Sequence, residues 1–129
     1  WDNMLALKGA PAPYLVNAYV RTRAIFRKLG SDFAPGGTIR ITEDAEKEIA
    51  LRIAQFAEVV PAVLDDFRPN VLANYLYELA MTYHKFWEAC PVLKAEGEVR
   101  ETRLALCELT GRVLRLGLGL LGIRTTERM

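Results

Sequence analysis

The sequence predicts an all-α fold, a helical bundle of about four or five helices. Three observations predict it. Apolar residues recur at helical spacing through four long stretches. Glycines and prolines punctuate the chain between or beside those stretches, at Pro13, Gly30, Pro61, Pro69, Pro91 and Gly97. No segment alternates convincingly as a strand, and Thr38 to Thr42 is the one short candidate. At 129 residues the chain is about one domain. That length buries a core without disulfides.

The first helix is expected from about Pro13 to Leu29, with Gly30 as a left-handed cap. Leu15, Ala18, Tyr19, Thr22, Ile25, Phe26 and Leu29 form its core stripe. Residues 30–41 read as a loop. The second helix is expected after Thr42, an N-cap residue, with Glu43 and Asp44 at its positive end. Ile49, Ile53, Phe56 and Ala57 form its apolar face, and Pro61 is expected to stop it. A short helix over Ala62 to Phe67 would follow. Pro69 then suits the first turn of a long helix reaching about Cys90. Its apolar positions are Leu72, Tyr75, Leu76, Leu79, Ala80, Tyr83, Phe86 and Trp87. The last helix is expected from about Gly97 to Leu120. One face carries Val99, Leu106, Cys107, Thr110, Val113 and Leu114, continuing to Leu121, and the other carries Glu101, Glu108, Arg112 and Arg115. Gly117, Gly119 and Gly122 weaken its end.

Composition narrows the function classes. Hydrophobic residues make up 51%, which argues against disorder. No apolar run reaches the roughly 18 residues a membrane span requires, because Glu108, Arg112 and Arg115 interrupt Ala105 to Ile123. The formal net charge of +1 points to no partner, but its distribution is uneven. Residues 1–30 hold five Lys or Arg against one Asp, residues 31–97 six against eleven acids, and residues 98–129 six against four. Two basic ends around an acidic middle are consistent with a local anionic partner. Cys90 and Cys107 lack metal or redox spacing and read as buried small residues in a reducing compartment.

The chain assembles no active site by pattern. His84 has no second ligand at metal spacing and reads as a solvated or interface residue. The glycines of Leu114 to Gly122 end a helix, whereas a phosphate loop opens one. Adjacent Asp65 and Asp66 point to different sides of a helix. The run Glu43, Asp44, Glu46, Glu48 is most simply a solvated face. No catalytic residue and no metal ligand is therefore assigned.

A second stripe of the first helix carries more. Tyr14, Asn17, Arg21, Ala24 and Lys28 fall on a line roughly 110° around from the core stripe. A ring, an amide and two cations beside a packed surface suit an unstacked nucleotide base. A solvated helix edge is the simpler reading of this helix taken alone. Trp87, at the edge of the long helix's apolar stripe, reads likewise as core before base platform.

Four segments then carry a family resemblance. W-D-N-M-L-A-L-K-G with P-Y-L-V-N-A-Y-V-R opens the chain. N-Y-L-Y-E-L-A-M-T-Y-H-K-F-W-E-A-C-P-V spans Asn74 to Val92, and R-L-A-L-C-E-L-T-G-R-V-L spans Arg103 to Leu114. G-L-G-L-L-G-I-R-T-T-E-R-M closes it from Gly117 to Met129. In combination and order these resemble the C-terminal end of arginyl-tRNA synthetases, class I aminoacyl-tRNA synthetases. The resemblance implies residues 1–12 at the end of a catalytic region or linker, and a DALR-type anticodon-binding domain over 13–129. It implies that Tyr14, Arg21, Trp87 and the terminal Met129 approach the anticodon loop of tRNA(Arg). The family's P-Y-L-Q-Y is P-Y-L-V-N here, so Val16 replaces Gln and Asn17 replaces a loop-facing Tyr. An amide can hydrogen-bond a base edge but offers less stacking surface. Lys28 joins the set as a phosphate-neutralising cation.

The H-I-G-H and K-M-S-K-S types of ATP signature are absent from these residues. The expectation is thus a non-catalytic, tRNA-recognising piece of an arginine–tRNA ligase. The piece itself would hold no cofactor, while the full enzyme would use ATP with magnesium. Its partners would be tRNA(Arg) and the catalytic domain of the same full-length chain, in the cytoplasm and without a membrane. Trp1 in place of an initiating Met fits a processed chain or a piece of a longer one. The competing reading is a helical protein–protein interaction module using the same edge.

Overall fold

The computed structural model describes residues 11–29, 39–66 and 68–122. They form four helices: α1 (Pro11–Leu29), α2 (Asp44–Asp66), α3 (Pro69–Ala89) and α4 (Gly97–Leu120). No strand occurs among the described residues, so 39–42 of the Thr38 to Thr42 candidate are irregular. Helices α3 and α4 each touch every other helix, whereas α1 and α2 touch only that central pair. Contacts between Tyr83 and Cys107 and between Leu76 and Gly117 make α3 and α4 antiparallel. Those of Arg52 and Phe56 with the Tyr75–Glu78 turn make α2 and α3 antiparallel. The chain therefore runs up, down, up, down, and α1 is parallel to α3.

Helix α1 begins two residues before the expected Pro13. Pro11 and Pro13 both sit in the first turn, where a missing N–H leaves no intrahelical bond unmade. Leu15, Ala18, Tyr19, Thr22, Ile25 and Phe26 are buried, as their spacing predicts. Thr22 Oγ1 donates to the Tyr19 carbonyl at 2.6 Å, which satisfies the hydroxyl inside the core. The Leu29 side chain and the Gly30 cap lie outside the described residues.

Helix α2 corrects two expectations. Pro61 does not end it, and of the short helix expected over Ala62 to Phe67, residues 62–66 belong to one helix that runs from Asp44 to Asp66, while Phe67 lies outside the described residues. An interior proline costs about 3 kcal/mol. Val59 and Val63 pack into the core on either side of the exposed Pro61 ring and offset that loss. The acidic run is also not uniformly solvated: Glu43, Asp44 and Glu48 are exposed, but Glu46 is 1% exposed. Its Oε1 accepts from the Thr42 N–H at 2.9 Å, the Thr42 hydroxyl at 3.3 Å and the Glu43 N–H at 3.2 Å. Glu46 thus caps the helix in place of Thr42.

In α3, Leu72, Tyr75, Leu76, Leu79, Ala80, Tyr83 and Phe86 are buried. The helix closes at Ala89 before Pro91, with the Cys90 N–H bonded to the Phe86 carbonyl at 2.8 Å. In α4, Gly111 and Gly117 are contact points. A Cβ at Gly117 would lie 2.6 Å from Leu76 Cδ2, and one at Gly111 would lie 2.6 Å from Thr22 Oγ1. Their missing side chains let α4 approach α3 and α1 closely. Two polarity assignments change. Glu108, expected on the outer face, is 7% exposed and bonds Arg23 at 3.0 Å and Arg112 at 3.2 Å. Val99, expected on the inner face, is exposed in the first turn. Cys90 and Cys107 are free and buried as expected. No described helix is long and apolar enough to cross a membrane.

Candidate nucleic-acid interface

The parallel course of α1 and α3 builds a groove. Tyr14 meets Tyr77 with ring centroids 5.1 Å apart, and Arg21 meets His84 at 3.5 Å. Both pairs are 63 residues apart in sequence, so the helices stay in register from one pair to the other. Seven residues of helix rise roughly 10 Å, which sets the spacing of the two levels. Between the helices lies a cavity of about 510 Å³ lined by the whole second stripe of α1: Tyr14, Asn17, Arg21, Ala24 and Lys28. Its opposite wall is Ala80, Tyr83, His84 and Trp87 from α3. Ala18 and Ile25 close the floor. Helical spacing placed the stripe; only the fold shows that it faces rings.

Each lining group has a physical setting. Trp87 is 40% exposed, so it is neither core nor fully solvated. It leans on the buried Tyr83 ring at 6.4 Å, which in turn rests on Phe86 at 6.0 Å. The packed rings support the indole while one side stays open. Burial pushes the Tyr83 phenol well above its ordinary pKa, and the nearby Cys107 adds to this. Tyr14 is 37% exposed. Burial raises its pKa, the Tyr77 hydroxyl raises it further, and Arg21 opposes both. Both phenols therefore stay neutral hydrogen-bonding groups at neutral pH. Among the described residues neither Arg21 nor Lys28 has a carboxylate partner within 4.0 Å, unlike Arg23, Arg52 and Arg103. Two unneutralised cations flank an apolar, ring-lined slot.

This arrangement suits a flat, uncharged ring carried on an anionic backbone. Indole and phenol faces are shaped to stack on such a ring, and the cations can meet its backbone or its edge. Among the described residues no group of three His, Cys, Asp or Glu is placed to hold a metal ion. The structure brings Tyr14, Asn17, Arg21, Lys28 and Trp87 into one groove. Met129 lies outside the described residues. Pattern reading missed His84 and Tyr83 as groove walls. The signal available was their spacing of three and four residues before Trp87 on one helix face.

Similarity to known proteins follows the same line. The chain is 48% identical to an arginine–tRNA ligase of Chromobacterium violaceum over 129 residues, all of this chain and 22% of that protein. It is 49% identical to an arginine–tRNA ligase of Pseudoalteromonas translucida over 132 aligned positions, all of this chain and 23% of that one. The chain thus spans under a quarter of the length of these curated relatives. Among solved structures, the Thermus thermophilus arginyl-tRNA synthetase superposes with a TM-score of 0.81 and 35% identity, covering 91% of this chain and 21% of that one. The Plasmodium falciparum arginyl-tRNA synthetase gives 0.78 and 31%, covering 99% and 23%. The sequence profile of the DALR anticodon binding domain matches residues 15–129, nearly the whole chain, and with a four-helix architecture that fits it the chain belongs to that family.

Proposed function

We propose that the α1–α3 groove receives the anticodon loop of tRNA(Arg), and that the chain acts as the tRNA-recognising part of an arginine–tRNA ligase. The observation that carries this is the convergence of Tyr14, Asn17, Arg21 and Lys28 with Trp87 on one open groove. Trp87 and Tyr14 offer stacking faces to splayed bases. Asn17 offers an amide to a base edge. Arg21 hydrogen-bonds or stacks on a base, and Lys28 neutralises phosphate. Met129 completes the set in this reading.

Residues 1–12 then form the end of a catalytic region or linker, and 13–129 the anticodon-binding domain. The catalytic domain of the same full-length protein supplies ATP and magnesium chemistry, and this domain none. Cytoplasmic placement fits such a ligase.

The test is a salt titration of binding to tRNA(Arg) beside the same tRNA with its anticodon swapped. Preference for the cognate anticodon, falling with salt, supports the reading. Equal binding to both opposes it. A protein partner captured at this groove with no salt-dependent RNA binding would favour the interaction-module reading.

A further inference from the structure

Arg21 reaches across the groove to His84, with Nη1 3.5 Å from Nδ1. On the far side of the same ring, His84 Nε2 lies 3.2 Å from Glu88 Oε1, one helical turn along α3. The three groups form a line with a direction. A guanidinium only donates and a carboxylate only accepts, while a neutral imidazole does one at each nitrogen. Only the Nε2–H tautomer satisfies both contacts: Nδ1 accepts from Arg21 and Nε2–H donates to Glu88. In that tautomer the carboxylate acts on Arg21 through an uncharged ring. A direct ion pair, such as the one the half-buried Arg23 makes with Glu108 at 3.0 Å, would cancel the cation and compete with an anionic ligand. A neutral acceptor holds the guanidinium without cancelling its charge.

We infer that His84, oriented by Glu88, is a positioning residue that fixes the Arg21 guanidinium across the groove, leaving its remaining donors aimed at a nucleotide base. The inference rests on the groove being the RNA site. It gives a role to two side chains that neither periodicity nor metal spacing explains. An untethered Arg loses rotamer freedom when it binds, whereas a held Arg has lost it already.

Nitrogen-15 NMR of this chain reads the tautomer of His84 and the order of the Arg21 Nε–H without any ligand. The wild type should show the Nε2–H form and an ordered Arg21. Glu88→Ala should mix the tautomers, and His84→Ala should loosen Arg21. Binding is then measured with a tRNA(Arg) anticodon stem-loop. His84→Ala should weaken it about fivefold, the scale of one ordinary net hydrogen bond. His84→Asn, which keeps an acceptor near the Nδ1 position, should stay within about twofold by the same scale. In an Arg21→Ala background His84→Ala should cost nothing further. Equal loss from His84→Ala and His84→Asn, additivity with Arg21→Ala, or an Arg21 signal unmoved by His84→Ala would overturn the positioning role. If instead Arg21→Ala and Trp87→Ala leave RNA affinity unchanged, the groove is not the RNA site, and the NMR arm still reports whether His84 holds Arg21.

Discussion

The guanidinium of Arg103 meets the buried carboxylate of Glu46 at 2.7 Å and joins three parts of the fold at one point. Glu46 caps α2, Arg103 belongs to α4, and Arg103 Nη1 also donates to the Pro91 carbonyl at 2.7 Å in the α3–α4 connection. Burial alone would raise the Glu46 pKa. The bond from Arg103 and the N–H groups of Thr42 and Glu43 together outweigh burial and hold it below the usual carboxylate range.

That lowered value fixes a direction of pH dependence. A carboxylate whose folded pKa is depressed stabilises the fold above its unfolded value, about 4.3 for glutamate, and that contribution is lost as pH falls through the lower folded value. Glu46→Ala should destabilise the chain by about 3 kcal/mol near neutral pH, since it strands Arg103. Urea unfolding should show the gap between wild type and Glu46→Gln narrowing as pH drops through the acid range. A gap that stays constant would mean the cap geometry matters and the charge does not.

One contact glycine and one open glycine of α4 predict opposite outcomes for the same substitution. Gly111→Ala drives a methyl into Thr22 Oγ1, itself bonded to the Tyr19 carbonyl, and should cost about 2 kcal/mol. Gly119→Ala meets nothing within 4 Å and should stabilise α4 by about 0.5 kcal/mol through backbone entropy. Thermal melts of the two variants compare them directly.

Burial pushes the Cys107 thiol up to about 12, despite the Tyr83 hydroxyl bonded to it, and raises Cys90 as well. The thiolate is the reactive form. Neither cysteine should therefore react with an aromatic disulfide reagent at mildly alkaline pH while the chain is folded. Labelling should track unfolding as denaturant is added. Rapid labelling of the native chain would contradict the burial of the thiol that reacts.

The groove reading predicts separable effects. Trp87→Ala should cost about 1–3 kcal/mol of RNA affinity, the scale of one stacked base, with Trp87→Phe recovering part. Lys28→Ala should lower the slope of log affinity against log salt by about one, as for a phosphate contact, whereas Arg21→Ala should cost about 1–3 kcal/mol and relax anticodon preference, as for a base contact. Circular dichroism should stay unchanged in all three, because Arg21, Lys28 and Trp87 are exposed.

Much of this was legible from residue spacing. The core stripe of α1 and the buried face of α3 follow from apolar periodicity, since both helices bury one side only. The stripe from Tyr14 to Lys28 was visible as a stripe, but its partner wall was not, because parallel packing of α1 on α3 is a long-range fact. Glu46 and Glu108 were misplaced for a common reason. A carboxylate at an outer position looks solvated until an arginine from another helix arrives, and Arg103 and Arg23 do so from 57 and 85 residues away. Pro61 misled because local backbone chemistry argues for a break, while Val59 and Val63 are held by tertiary contacts.

The matched register of α1 and α3 has a consequence for how such a groove can diversify. Each level along it, Tyr14 with Tyr77 and then Arg21 with His84, is a separate cross-bar about two helical turns from the next. An exchange at one cross-bar alters the groove at that level and leaves its neighbour's spacing intact. Both rungs are built from α1 and α3 side chains alone, so their alignment rests on the packing of those two helices and on no loop between them.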